Sequence, residues 1–290
     1  MQRCSALVLV CTFAPCYFAV QPIRAEEKAP SKAAELVATK RVLIIAHRGA
    51  SAHAPENTIP AFEAALKTKC DLIELDYYHS KDSVPVVFHD KVLDRTSNSV
   101  AKLGIAKIGI GDLTAKELQT LEAGQWFKPP FPGAKIPTLV EALDVIQNGG
   151  KTLIERKGGD AATVVKLLDE KQLRGNVVVQ AFDWKYIAEC HKLAPDLVLG
   201  CLGSEELSAK RIAAAKAAGA TAIGWRHGDL NEAGIASVHA AGLKCWAYTV
   251  NDRRRAKYLI EAGIDGLITD DPANMQGLLE LLAKEKAANK

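Results

Sequence analysis

Charge of one sign is missing from this 290-residue chain: 37 Lys and Arg stand against 34 Asp and Glu, a formal net of +3. That balance gives neither nucleic acid nor an anionic membrane surface a reason to bind. An unbroken apolar run of the roughly 20 residues needed to cross a bilayer is missing as well. The nearest approach, MQRCSALVLVCTFAPCYFAVQPIRA at the N-terminus, is interrupted by Pro15. Zinc-type cysteine spacing is absent, since Cys4, Cys11, Cys16, Cys70, Cys190, Cys201 and Cys245 fall at none of the paired intervals. No glycine-rich phosphate cradle follows any apolar run, which argues against a doubly wound nucleotide-binding sheet.

The first 25 residues have a basic start, an apolar stretch and a small residue, Ala25, ahead of Glu26, the pattern of a secretory signal. Cys16 follows Phe13-Ala14-Pro15, a poor context for lipoprotein processing. The expectation is an exported protein, periplasmic or secreted, with no stable membrane span after cleavage. Cleavage removes Arg3 and Arg24 and no acid, so the net charge falls from +3 to +1. Of the four cysteines that remain, three lie in or beside apolar strands and read as buried thiols rather than disulfide partners. Residues 26–40, EEKAPSKAAELVATK, are polar and alanine-rich without a strand pattern and read as a linker. The folded domain is expected over 41–283, with a polar tail at 284–290 that ends a C-terminal helix read over 278–290.

With 48% hydrophobic residues the chain has material for a large core. Short apolar runs at 42–47, 72–77, 152–156, 176–181, 197–202, 221–225, 243–249 and 265–269 alternate with helix-period segments at 58–68, 138–147, 161–171, 184–193, 208–218, 231–241 and 253–262. Gly219, Gly242 and Gly263 each follow a helix, as C-terminal caps do. Eight strand–helix repeats predict an α/β fold, the closed TIM (β/α)8 barrel. A ninth strand, 84–88, breaks the alternation, because six residues cannot supply a parallel crossover of a dozen or more. It predicts an antiparallel hairpin turning near Lys81-Asp82-Ser83, which brings His89 back opposite Glu74 and Asp76. Residues 91–137 then form an insertion, with a short helix at 114–122 and a Pro/Gly-rich return, KPPFPGAKIP, placed to cover the barrel mouth.

In such a barrel the functional groups gather at the C-terminal strand ends, where the polar motifs of this chain fall. His47 and Arg48 close the first strand, Glu74 and Asp76 the second, Glu155 and Lys157 the third. A spacing of two places each of the last two pairs on one face of its strand. Three converging carboxylates repel unless a cation lies among them. A hard divalent ion, Mg²⁺ or Ca²⁺, takes oxygen ligands and leaves positions for water and phosphate oxygens. Arg48 and Lys157 are then suited to bind a phosphodiester and absorb developing charge. His47 and His89, titrating near neutrality, are the candidate acid/base pair.

Each group taken alone has a simpler reading, a strand-end histidine as a structural hydrogen bonder or a Glu-x-Asp as a solvated face. Their convergence at strand ends assigned independently by periodicity favours a site. Asn57 reads as the N-cap of helix 58–68, with Pro60 in the first turn. Glu56 stands equally as a helix-end carboxylate or a supporting partner of the site. His53, His79, His191, His227 and His239 lack such companions and read as surface or packing residues. Trp225 and Trp246 read either as apolar walls of the mouth or as barrel packing.

These residues lie within AHRGASAHAPENTIPAF, LIELDYY, VVFHD with LDRTSN after it, IPTLVEAL, LIERK, VVVQAFD, WAYTVND and GIDGLITDDP. In order and spacing the set resembles the glycerophosphodiester phosphodiesterases from about Leu43 to Pro272. The resemblance implies metal-dependent hydrolysis of a small glycerophosphodiester to sn-glycerol 3-phosphate and an alcohol. It makes His47 and His89 the acid/base pair and Glu74, Asp76 and Glu155 the metal ligands. Arg48, Lys157, Phe182 and Trp246 become substrate contacts, with Glu56 and Gln180 supporting them. The chain departs from the family pattern at Arg156, at Ala181 and at Ala247-Tyr248. The last departure allows Tyr248 to stand in the place of the family's tryptophan, with Trp246 displaced. An alternative is a related barrel phosphodiesterase acting, as a phospholipase D does, on lysophospholipids or sphingolipids. It calls for an apolar rim, for which the insertion offers Trp126-Phe127 and Phe131. A third reading, a non-catalytic binding barrel, predicts a lost acid, base or ligand.

Overall fold

A computed structural model describes residues 29–288; the segment expected to be a signal, 1–25, lies outside them. Eight strands close a parallel barrel: β1 (Leu43–Ala46), β2 (Leu72–His79), β4 (Thr152–Arg156), β5 (Val177–Ala181), β6 (Val198–Gly203), β7 (Ala222–Arg226), β8 (Lys244–Tyr248) and β9 (Gly266–Thr269). β1 pairs with both β9 and β2, which closes the ring. β3 (Pro85–Val87) is the ninth strand, antiparallel to β2 with Tyr77 opposite Val87. The turn between them passes through Ser83 in the left-handed region, and beyond it Phe88 N donates to Asp76 O at 3.0 Å. His89 therefore emerges beside the Glu74–Asp76 face, as the sequence pattern predicts.

The strands are apolar almost throughout because both faces are covered. Outward residues such as Ile44, Ile73, Leu75 and Ile154 pack beneath the helices α2 (Ile59–Thr68), α5 (Leu139–Ile146), α6 (Ala161–Glu170), α7 (Trp184–Leu193), α8 (Ala209–Ala217), α9 (Glu232–Ala240), α10 (Arg253–Glu261) and α11 (Pro272–Ala288). Inward residues Leu43, Ile45, Leu72, Leu153, Val178, Trp246 and Ile268 fill the lower barrel. Along each of these strands the inward face turns polar toward the C-terminal end: Leu72 gives way to Glu74 and Asp76, Leu153 to Glu155, Val178 to Gln180.

Several boundaries differ from expectation. Residues 26–40 are not all linker: Lys32–Val37 form α1, capped by Ser31 Oγ, which accepts from Ala34 N at 3.2 Å. Ala33 and Val37 are buried in the lower-barrel cluster. A six-residue helix carries too little periodicity to stand out in a polar stretch, but two apolar residues four apart suffice to plug a barrel end. The C-terminal helix, expected from 278, is α11 (Pro272–Ala288): it starts six residues earlier and carries the polar stretch from 284 through 288. The insertion holds α3 (Ser99–Leu103) and α4 (Ala115–Gln119) around its own small core of Val86, Phe88, Leu93, Ile110, Leu118, Leu121 and Ile136. Among the described residues, Cys70, Cys190, Cys201 and Cys245 are free thiols.

Candidate active site

The HRG turn after β1 shapes one side of the site. His47 N is held by Thr269 O at 2.8 Å, Arg48 adopts φ 55°, and Gly49 adopts φ 83° with the Ala61 backbone against it. A Cβ on Gly49 would lie 2.6 Å from Ala61 C, so only glycine fits. The turn aims Arg48 back over the barrel. Its backbone N donates to Glu74 Oε2 at 2.7 Å, its Nη1 donates to Glu56 Oε1 at 2.8 Å, and its Nε lies 3.3 Å from Asp76 Oδ2.

β2 and β4 place the carboxylates. Asp76 is directly paired with Glu155, and Glu74 stands one inward position below. All three are buried, and one oxygen from each falls within 4.8 Å of the others. Lys157 Nζ touches Glu155 and lies 3.2 Å from Asp76 Oδ1. Burial, with repulsion from Asp76 and Glu155, drives the Glu74 carboxyl well above the usual range. Burial and Asp76 push Glu155 up to about 7. For Asp76 burial is outweighed by Lys157, Arg48 and His89, which hold it low. Glu74 Oε1 is buried with no hydrogen-bond partner among the described residues. One lysine and one arginine thus leave an all-oxygen cluster short of positive charge, and these residues fit a hard divalent cation.

Asn57 was expected to cap α2, and the structure corrects this. Thr58 is the N-cap, while Asn57, buried and at φ 58°, grips Asp76 twice. Its Nδ2 donates to Asp76 Oδ2 at 2.7 Å, and its Oδ1 accepts from Asp76 N at 3.1 Å. Asparagine tolerates the left-handed region, which turns the side chain inward instead of along the helix.

Each histidine is oriented by an aspartate. His47 Nδ1 meets Asp270 Oδ1 at 2.6 Å, and Asp270 is itself held by Ser51 Oγ at 3.0 Å and Asn251 Nδ2 at 2.5 Å. His89 Nδ1 meets Asp90 Oδ1 at 2.6 Å. Asp270 and Asp90 are both held down at about 2: burial opposes this, but His47 with Asn251 and Ser51, and Arg95 with His89, outweigh it. With Nδ1 engaged, Nε2 is the nitrogen each ring has for substrate. Burial, helped by Arg48 and Lys157, lowers the His89 pKa against the pull of Asp76, which favours the neutral ring.

These groups face one pocket of about 230 Å³ at the C-terminal mouth, lined by His47, Arg48, Glu74, His89, Glu155, Lys157, Gln180, Phe182, Leu202, Tyr248, Thr249 and Ile268. Phe182, half exposed, stands edge-on to Tyr248 with ring centroids 5.9 Å apart. Gln180 lies buried at the floor with Oε1 unpartnered. Glu56 backs Arg48 from outside the pocket. Trp246 is not at the mouth: it is fully buried in the lower barrel, its ring so close to Gly266 that a Cβ there would lie 2.7 Å from Cδ1. Tyr248, two residues on and on the same face, takes the wall position. Trp225 is barrel packing too. None of His53, His79, His191, His227 and His239 lines the pocket, and neither does any residue of the insertion 91–137. Sequence reading missed Asp270, Asn251 and Arg95 as partners. Asp270 carried a signal in the TDDP strand end, whereas Arg95 carried none beyond its place in LDRTSN.

A closed parallel barrel whose mouth gathers two aspartate-oriented histidines, three carboxylates and two cations defines a barrel hydrolase of the phosphoester-cleaving class. The chain belongs to the glycerophosphoryl diester phosphodiesterase family, whose pattern it matches over residues 47–274. The YhdW protein of Bacillus subtilis is 38% identical over 242 residues, covering 79% of this chain and 94% of its own. A glycerophosphodiester phosphodiesterase of the same organism is 31% identical over 277 residues, covering 88% and 90%. Among solved structures, an Oleispira antarctica phosphodiesterase in complex with the product sn-glycerol-3-phosphate superposes with a TM-score of 0.75 at 27% identity, covering 82% of this chain and 96% of that one.

Proposed function

We propose that this protein hydrolyses small glycerophosphodiesters to sn-glycerol 3-phosphate and an alcohol, with a divalent cation and the His47–His89 pair. The observation that carries the reading is the meeting of both histidines with Glu74 and Glu155 in one pocket, where Asp76 completes the carboxylate cluster. The product held by the Oleispira relative supports the substrate class.

Glu74, Asp76 and Glu155 would hold the cation, which when bound supplies Lewis-acid polarisation of a phosphoryl oxygen. Arg48 and Lys157 bind the remaining phosphoryl oxygens and absorb charge as the phosphorus becomes five-coordinate. One histidine takes the proton from the attacking oxygen, a water or the glycerol 2-hydroxyl, and the other gives a proton to the leaving alkoxide as its P–O bond breaks; after attack by the 2-hydroxyl, a water opens the cyclic phosphate to the monoester by the same exchange of protons. Asp270 and Asp90 fix each ring's tautomer and orientation. Phe182 and Tyr248 give the carbon skeleton of the glycerol unit an apolar wall. The alternative lipid substrates gain no support at the pocket, because Trp126, Phe127 and Phe131 do not line it and instead meet edge-to-face in the insertion, with centroids 5.6 and 5.5 Å apart.

The test is ³¹P NMR of glycerophosphocholine with enzyme and Mg²⁺ or Ca²⁺. Conversion to the sn-glycerol 3-phosphate monoester is expected; release of phosphocholine, or no turnover, contradicts the reading. Export is part of the proposal, supported by the pattern in residues 1–25. N-terminal sequencing of the protein from a fractionated host should find Glu26 first, in the non-cytoplasmic fraction.

A further inference from the structure

Arg95 lies at the start of the insertion and touches neither the pocket nor the carboxylate cluster, yet every edge of its guanidinium is used. Nε donates to Asp90 Oδ2 at 2.5 Å and Nη2 to Asp90 Oδ1 at 3.1 Å. Nη1 donates to Glu56 Oε2 at 2.8 Å and Nη2 to Glu56 Oε1 at 2.7 Å. Asp90 Oδ1 is the atom that meets His89 Nδ1, and Glu56 Oε1 is the atom that accepts from Arg48 Nη1. One planar cation therefore closes a chain that runs His89, Asp90, Arg95, Glu56, Arg48.

An arginine side chain 46% exposed is ordinarily a weak contributor. Here it has two bidentate carboxylate contacts, a geometry that gives direction as well as attraction. Its backbone is fixed from both sides. Leu93, fully buried in the insertion core, donates its N to Ile108 O at 3.0 Å, and Thr96 is buried. Ser97 Oγ donates to Leu93 O at 2.7 Å.

We propose that Arg95 is a positioning residue of the active site: by gripping Asp90 and Glu56 together it sets the His89 imidazole and the Arg48 guanidinium relative to each other. The insertion thereby acts on catalysis through Arg95, without lining the pocket. This rests on the reading of His89 as a proton-transfer group and Arg48 as a phosphate contact.

The test compares Arg95→Ala, Arg95→Lys and His89→Ala for turnover of glycerophosphocholine, at a temperature where circular dichroism shows each folded. Arg95→Ala should lower kcat roughly 10- to 100-fold, the range for removing a partner that orients a site ligand. Arg95→Lys should stay well below wild type, since an ammonium cannot reach both carboxylates as a fork, and it carries the test should Arg95→Ala not fold. Guanidinium ion added to Arg95→Ala should restore part of kcat, and ammonium should not. In a Glu56→Gln/Asp90→Asn background, Arg95→Ala should change kcat by less than about twofold, because coupled residues are not additive. Wild-type kcat in both Arg95 variants, or the full loss repeated in the double background, overturns the inference. Should that happen while His89→Ala is inactive, the functional reading stands alone; wild-type turnover in His89→Ala removes both.

Discussion

At His47 and His89 one device is used twice: an aspartate takes Nδ1, so that Nε2 is presented to the pocket. Replacing either histidine by alanine is expected to lower kcat by about 10²- to 10⁴-fold, the usual weight of a positioned acid or base. Steady-state kinetics with KM changed little checks this. The aspartates also leave a mark on stability. Asp270, held at about 2, stays ionised in the fold where the unfolded chain would already have taken a proton. Its contribution is therefore present above the ordinary carboxylate range and lost as pH falls through about 2. Thermal melts between pH 4 and pH 2 should show a steeper fall for wild type than for Asp270→Asn; equal slopes would count against the pairing. The residue scale was also the least legible in sequence. Glu74, Asp76, Glu155 and Lys157 announced themselves by alternation along strands. Asn57 did not, because a helix-capping motif and a left-handed turn that buries the amide against Asp76 look alike in one dimension.

Among the elements, the β2–β3 hairpin was readable because six residues cannot make a parallel crossover, an exclusion that needs no chemistry. The barrel strands were readable because double burial makes them apolar throughout. α1 was not, since six residues in an alanine-rich polar stretch give no periodic signal until the barrel end is there to receive Ala33 and Val37. Trp246 shows the same limit: alternation gives its inward face but not its depth. Depth is set by Gly266, the small residue on the neighbouring strand that leaves room for the indole. Gly266→Ala should therefore cost about 1–3 kcal/mol by overpacking, measured by chemical denaturation, with KM for the diester unchanged because Tyr248 forms the wall. At the HRG turn, Gly49→Ala forces a Cβ into the Ala61 backbone. It should impair turnover as well as lower Tm, because the same turn aims Arg48.

For the whole molecule, the barrel is what makes a site of scattered parts. Glu74 and Asp76 belong to β2, Glu155 to β4 with Lys157 just past its end, and His47 and its partner Asp270 directly follow β1 and β9; only ring closure brings β9 beside β1. The insertion, expected as a cover for the mouth, contributes no residue to the pocket lining; its Arg95 bonds Asp90 and Glu56. The central claim is that the buried carboxylate cluster exists to hold a divalent cation used in diester cleavage. Its most direct test is turnover of glycerophosphocholine by enzyme stripped with EDTA and then titrated with Mg²⁺ or Ca²⁺, for wild type and Glu155→Gln. The account predicts that stripping abolishes sn-glycerol 3-phosphate release, that one of these cations restores it in wild type, and that Glu155→Gln needs far more cation or fails to recover. Full activity in the stripped enzyme, or an unchanged cation requirement in Glu155→Gln, would contradict it.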